Sequence, residues 1–277
     1  MGCYAARTWT RSLVVCDPPF EAVDRSKYVY NFLGRTRTRG SVSTESRERA
    51  TTVSDKPERR PDGTRMQILR AAAQQLAREQ YGQVSLDRVL EIANVTKGAL
   101  YFHFRSKHDL AIAIVENHAE ARAESFDEAF AQSRPGLESM IELSYRIGSD
   151  DIGDDMARAG LNLLEALGRF DGLQSKVLDG WVTAFTDLAR RAADDGDIAK
   201  GVDPAHVARL VVSLCLGLRQ TSNLDDPVAF TCDLEALWLL ILPGFASPDR
   251  LPYLKGFVER RTARAIKNAA SRSTDVL

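Results

Sequence analysis

From residue 61 onward, the apolar residues of this 277-residue chain fall at helical rather than alternating spacing. Ile68, Leu69, Ala72, Ala73 and Leu76 recur three and four apart, the stripe that an amphipathic helix buries. The pattern predicts a first helix that opens between Asp62 and Thr64 and is closed by Gly82. Ser85 stands at the N-cap position ahead of "LDRVLEIA". Asn94, a residue that tolerates the left-handed conformation, ends that short helix. Thr96 caps "KGALYFHF", and Ser106 caps a fourth helix that opens at Lys107 and runs to Pro135. A long helix, two short ones around a tight turn and a long connecting helix form the outline of a helix-turn-helix head.

Beyond Pro135 the pattern stays helical through "GLESMIELSYRIG", "MARAGLNLLEALGRF", "LQSKVLDGWVTAFTDLARRAADDG", "DPAHVARLVVSLCLGLRQTSN" and "PVAFTCDLEALWLLILPGF". Gly, Pro and Asp punctuate these segments, and no strand-like alternation lasts more than a few residues, so the fold class is all-α. The last two segments are apolar nearly all round, which suits helices central in a core or pressed against a second subunit. Residues 1–60 carry no period, and Arg, Ser and Thr dominate "GRTRTRGSVSTESRERATT". They read as a disordered extension, or as untranslated sequence ahead of a start at Val53. The organisation expected is an extension over 1–60, a helix-turn-helix DNA-binding head over 61–106, a helical body over 107–246, which the resemblance described below makes a ligand-binding and dimerisation domain, and a basic tail over 247–277.

Charge sharpens this division. The net charge is -1, yet residues 116–250 hold 12 basic against 24 acidic residues, while residues 1–60 hold 12 against 7 and residues 61–115 hold 7 against 5. An acidic body behind a basic head suits a protein whose head alone meets a polyanion. No apolar run reads as a membrane span, since "LEALWLLILPGFA" is short and broken by Pro243. The first residues make a poor signal peptide, and Ala6 stands where a myristoylation signal needs Ser or Thr. The chain therefore reads as cytoplasmic. Cys3, Cys16, Cys215 and Cys232 have neither metal-ligand spacing nor histidine partners, so no metal and no cofactor are expected.

The stretch "VTKGALYFHFRSKHDLA" closely resembles the TetR family of bacterial transcriptional repressors, whose heads share a pattern near T-K-G-x-[LI]-Y-x-[HY]-F-x-[ST]-K-x-x-L. Thr96, Lys97, Gly98, Leu100, Tyr101, His103, Phe104, Ser106, Lys107 and Leu110 all fall in place. "GALYFHF" and Leu90 are similar to the γ-butyrolactone receptor branch. So is "GWVTAFTDLARRAADDGDIAKGVDPAHVARLVVSLCLG", with Trp181, Asp203, Pro204 and Arg209 aligned. The resemblance spans roughly residues 62–246. It implies a repressor that binds operator DNA as a homodimer and is released by a small γ-butyrolactone-type inducer. A related regulator answering to an antibiotic, a furan or a butenolide is the alternative.

On that reading "KGALYFHF" is the recognition helix. Its N-terminus, capped by Thr96, favours phosphate. Lys97 is the leading cation for a base or phosphate contact, and Gly98 permits close approach to the DNA backbone. Tyr101, His103 and Lys107 would reach phosphates, with Ser85 doing so from the preceding helix. Leu100 and Phe104 are expected in the core, and Phe102 too. In the body, Trp181 would cover the ligand and His118 would couple ligand to head. Asn162, Gln220 and Thr221 are further polar candidates for the ligand, as is Glu165. The connecting helix is the lever, and Pro204–Ser222 with Asp226–Phe245 would form a four-helix interface with a second copy. The rival class, an all-helical enzyme, lacks a nucleophile with its base, a P-loop or dinucleotide glycines. "DDIGDD" at Asp150–Asp155 lacks EF-hand spacing and reads as a solvated acidic loop.

Overall fold

The computed structural model describes residues 61–168 and 172–274. The expected extension over 1–60 lies outside the described residues. The fold is all-α: a three-helix head of helix-turn-helix form leads into a helical body. The head comprises α1 (Pro61–Leu76), α2 (Leu86–Ala93) and α3 (Lys97–His103). The body comprises α4 (Lys107–Ala131), α5 (Gly136–Gly153), α6 (Asp155–Leu167), α7 (Leu173–Asp194), α8 (Pro204–Thr221), α9 (Pro227–Ile241) and α10 (Leu251–Thr274).

The local signals act as their chemistry requires. The Thr96 hydroxyl accepts from the Ala99 N–H at 3.2 Å, and the Ser106 hydroxyl accepts from the Asp109 N–H at 3.0 Å. Asn94 takes the left-handed conformation at φ 49°, which turns the chain between α2 and α3. Ser85 stands at the start of α2 without a side-chain capping bond. Helix α1 stops at Leu76, six residues before the expected Gly82, and residues 77–83 form turns. Its last carbonyls are satisfied by a side chain from α6, so another helical turn is not needed there.

The head packs on the body through α1 against α6, while α4 lies along α6 as well. Gly160 makes that second crossing close: a Cβ there would fall 2.4 Å from the His118 Cβ. In the body α7 packs on α8 and α5, and α9 packs on α10. Phe126, Tyr145, Phe185 and Trp238 anchor the core between them. The residues expected as a basic tail form α10, which packs on α5 and α9. Leu254, Val258 and Ala265 are buried, and Thr262 shares a 2.7 Å hydrogen bond with the Tyr145 hydroxyl. Leu, Val and Ala at helical spacing carry this packing, and the charge count concealed it.

Two further expectations are corrected. The 18-residue span Pro227–Gly244, with hydropathy 1.4, is long and apolar enough to cross a membrane. Its buried positions Phe230, Leu234 and Trp238 join the core, with Trp238 donating to the Ser144 hydroxyl at 2.8 Å. The acidic run Asp150–Asp155 is not a solvated loop. Asp151 lies buried in the last turn of α5, Asp154 caps α6 by accepting from the Met156 N–H, and Asp155 pairs with Arg78 at 2.9 Å.

Candidate nucleic-acid interface and ligand cavity

The recognition helix α3 is divided sharply between two environments. Leu100 is fully buried and Phe104 nearly so, with the Arg65 guanidinium 5.3 Å from the Phe104 ring centre. The opposite face is open: Thr96, Lys97 and Gly98 are exposed, and Tyr101 is 45% exposed. A Cβ at Gly98 would meet only the Thr96 hydroxyl, at 3.9 Å, so nothing in the protein demands glycine there. Space for an approaching backbone is the property that glycine leaves. Phe102, expected in the core, is 80% exposed. It sits one position past Tyr101 on a helix whose buried stripe is already filled by Leu100 and Phe104. His103 is half-buried, edge-on to Phe102 with ring centres 5.0 Å apart.

Lys107 does not stand free for a phosphate. Its ammonium donates to the Tyr81 carbonyl and lies 4.5 Å from the Tyr81 ring centre. Burial lowers its pKa. The contact ties the start of α4 to the turn after α1, so this lysine positions the head.

The body contains a narrow cavity of about 30 Å³, lined among others by Phe126, Trp181, Phe185, Arg122, Asp151 and Arg219. Trp181 meets the buried His118 edge to face, with ring centres 5.9 Å apart. Burial, then the charges of Arg122 and Arg219, lowers the His118 pKa to about 3, so the imidazole is neutral near pH 7. Arg122 is 4% exposed and Arg219 6%. Arg122 faces Asp150 at 3.2 Å and Asp151 at 3.5 Å, and Arg219 faces Glu165 at 3.3 Å. Burial pushes the Asp151 carboxyl up to about 6, against the pull of Arg122. Three polar atoms of this cluster have no hydrogen-bond partner: His118 Nε2, Asp151 Oδ1 and Arg219 Nε. Buried polar atoms are rarely left so; Asp151 and Arg219 belong to the cavity wall, and His118 lies behind Trp181. Among the described residues no group of His, Cys, Asp and Glu is arranged to hold a metal.

The family described as "Bacterial regulatory proteins, tetR family" matches residues 68–114, which hold most of α1, all of α2 and α3, and the start of α4. This segment is a TetR-type head. The chain is 29% identical over 189 residues to the A-factor receptor protein of Streptomyces griseus, an alignment covering 68% of this chain and 66% of that protein, just under two thirds of its length. A crystal structure of a gamma-butyrolactone receptor described as ArpA-like superposes with a TM-score of 0.63 at 25% identity, over 74% of this chain and 98% of that one. CprB from Streptomyces coelicolor, a TetR family protein solved in complex with its biological operator sequence, gives the same TM-score of 0.63, at 25% identity over 74% and 98%.

Within this TetR frame the polar candidates separate. Trp181 is at the cavity and His118 adjoins it. Asn162 is not: its Nδ2 donates to the Leu76 and Ala77 carbonyls at 3.0 and 3.3 Å, at the end of α1. Gln220 is exposed and donates to Glu165 Oε1 at 2.5 Å. The Thr221 hydroxyl donates back to the Gly217 carbonyl at 3.0 Å, within its own helix. The residues that do charge the cavity wall, Arg122, Asp151 and Arg219, went unread in the sequence. One signal was present: His118 and Arg122 lie four apart on a helix, on one face, beside the apolar Ala119, Val115 and Phe126.

Proposed function

We propose that this chain is a ligand-controlled transcriptional repressor that binds operator DNA as a homodimer and is released by a small, neutral, γ-butyrolactone-type molecule. The observation that carries the reading is the pairing of an exposed recognition-helix face with a cavity whose apolar walls end in unpartnered polar atoms. Ser85, Thr96, Lys97, Gly98, Tyr101 and His103 supply the DNA-facing surface, and exposed Phe102 adds an apolar edge able to meet a thymine methyl. Lys107 supports them from behind.

Trp181 and Phe185 take the acyl chain, and His118, Asp151 and Arg219 take the oxygens of the head group. Each buried arginine already has carboxylate partners, so the cavity has no spare positive charge for an anionic guest. A neutral molecule offering both hydrogen-bond acceptors and a hydroxyl suits Arg219 Nε and Asp151 Oδ1 together. That favours a lactone over a furan carboxylate. The receptors named above support the same choice.

Dimerisation falls to α8 and α9, whose outer faces leave Leu210, Val228 and Leu240 exposed, Leu240 at 75%. Covering them with the same helices of a second copy buries apolar surface on both sides. The chain acts in the cytoplasm and catalyses no reaction. Burial and the neighbouring Asp151 push the Cys215 thiol up to about 12, which suits a packing role and not a nucleophile.

The test is a gel-shift titration against DNA from upstream of the chain's own gene, at fixed salt, with and without culture extract. A shift that extract reverses supports the reading. A shift that no extract or synthetic lactone reverses overturns the ligand assignment, and no shift on that or neighbouring promoters overturns the DNA assignment.

A further inference from the structure

The cavity and the DNA-binding head are joined by a short run of hydrogen bonds through two side chains. Arg219, on α8, lines the cavity. Its Nη2 donates to Asn162 Oδ1 at 2.6 Å and to the Arg158 carbonyl at 3.3 Å, and its Nη1 pairs with Glu165. Asn162, on α6, uses its amide N–H groups on the Leu76 and Ala77 carbonyls, at 3.0 and 3.3 Å. Those carbonyls close α1, which packs against α2 and α3. One nitrogen of Arg219, Nε, stays buried and unpartnered on the same guanidinium.

We infer that Arg219 and Asn162 form the relay by which an occupant of the cavity changes the set of the DNA-binding head. This rests on the ligand reading given above. The guanidinium is rigid and planar, so its donors cannot be re-aimed one at a time. An occupant that accepts from Nε tilts the whole group and draws Nη2 away from Asn162. Asn162 then loses the acceptor contact that fixes its amide, and its hold on the end of α1 loosens. The Nδ2 bonds are the side-chain cap of that helix, so their loss frees α1 to move relative to α6. The state with the relay closed is the one that binds DNA. The long helix α4 is thus not the sole path: a second one enters the head from α1.

Asn162 does not line the cavity, which makes it the discriminating position. The experiment uses the full chain, a fluorescent operator duplex and a synthetic 2-acyl-3-hydroxymethyl-γ-butyrolactone. Asn162→Ala should leave lactone affinity, read by calorimetry, within about threefold. Release of DNA by saturating lactone should fall at least tenfold. Lactone affinity unchanged and release undiminished would overturn the relay.

A second measurement stands without any lactone. Asn162→Ala and Arg219→Gln should each weaken operator binding several-fold, and the double variant should be no weaker than the worse single one. Additive losses, or no loss in either single variant, would overturn the relay even if lactone binds. Failure of the wild-type chain to bind lactone, with the non-additive losses intact, would overturn the ligand reading and leave the relay standing for another guest.

Discussion

Replacing Gly160 by Ala tests whether the contact between α4 and α6 is as tight as the structure has it. The added Cβ would lie 2.4 Å from the His118 Cβ and 2.7 Å from its Cγ. His118 is 2% exposed and cannot swing aside, because Trp181 meets its ring. Overpacking a filled core costs about 1–3 kcal/mol. Ala is better than Gly inside a helix by about 1 kcal/mol, which works the other way. The net loss is up to about 2 kcal/mol, and in a chain of this size each kcal/mol moves Tm by roughly 2–4 °C. Gly180 supplies the control: it lies exposed on α7, and a Cβ there meets nothing within 4 Å. Gly180→Ala should therefore raise Tm by up to about 4 °C. The assay is thermal unfolding followed by circular dichroism, at one fixed protein concentration because dimerisation couples to Tm. A Gly160→Ala variant that gains as much Tm as Gly180→Ala does would refute the packing argument.

Trp181→Ala should remove the apolar cover of the cavity and weaken lactone release by about a hundredfold, as loss of a buried aromatic contact of about 3 kcal/mol requires. Operator affinity should stay within threefold; an equal loss of both activities in a gel shift would contradict the assignment. Lys97→Ala should weaken operator binding by about 1–3 kcal/mol and lower the slope of log affinity against log salt by about one, with lactone affinity unmoved. An unchanged slope would place Lys97 away from phosphate.

Protonation gives a fourth prediction. The Asp151 carboxyl has a raised pKa of about 6, so the folded state holds its proton more firmly and this group's contribution to stability falls as pH rises from about 4 to 6. His118, lowered to about 3, works in the opposite sense: the unfolded chain takes up the proton below its ordinary value of 6.5, so stability from this group is lost as pH falls. The two slopes oppose each other over the same window, so the wild type is nearly level there as far as these groups go. Asp151→Asn should expose the histidine slope, with stability falling by about 2–3 kcal/mol from pH 6 to pH 4 relative to wild type. His118→Phe should expose the opposite slope. Denaturant titrations at several pH values read both, and parallel profiles for all three proteins would contradict the burial of this pair.

The head was legible because its signals are local. Caps at Thr96 and Ser106, an Asn able to turn left-handed at position 94, and apolar residues three and four apart fix helices whatever lies elsewhere. Two positions on its surface depart from expectation: Lys107 is held by Tyr81, and Phe102 is exposed for a simple reason. A helix seven residues long has room for one buried stripe, and Leu100 and Phe104 fill it, so a third aromatic must face out. The cavity was mostly illegible because it is assembled from distant segments. Trp181 came through resemblance alone. Arg122 and Arg219 were not singled out, since nothing adjacent in sequence shows that each meets a carboxylate at 3.2–3.5 Å across the core. Asn162 was singled out as polar, but its role is to cap α1 from 86 residues away, which is a property of packing.

The most direct test of the whole account is reciprocity. Operator affinity is measured by fluorescence anisotropy at zero and saturating lactone, and lactone affinity by calorimetry with and without operator duplex, at one salt concentration. A single molecule holding both sites in linked conformations must give one coupling factor both ways, about 5–150-fold in size. Equal factors of that size are the expected result. A factor of one in either direction, or two binding reactions that ignore each other, would contradict the claim that the cavity in the body controls the head.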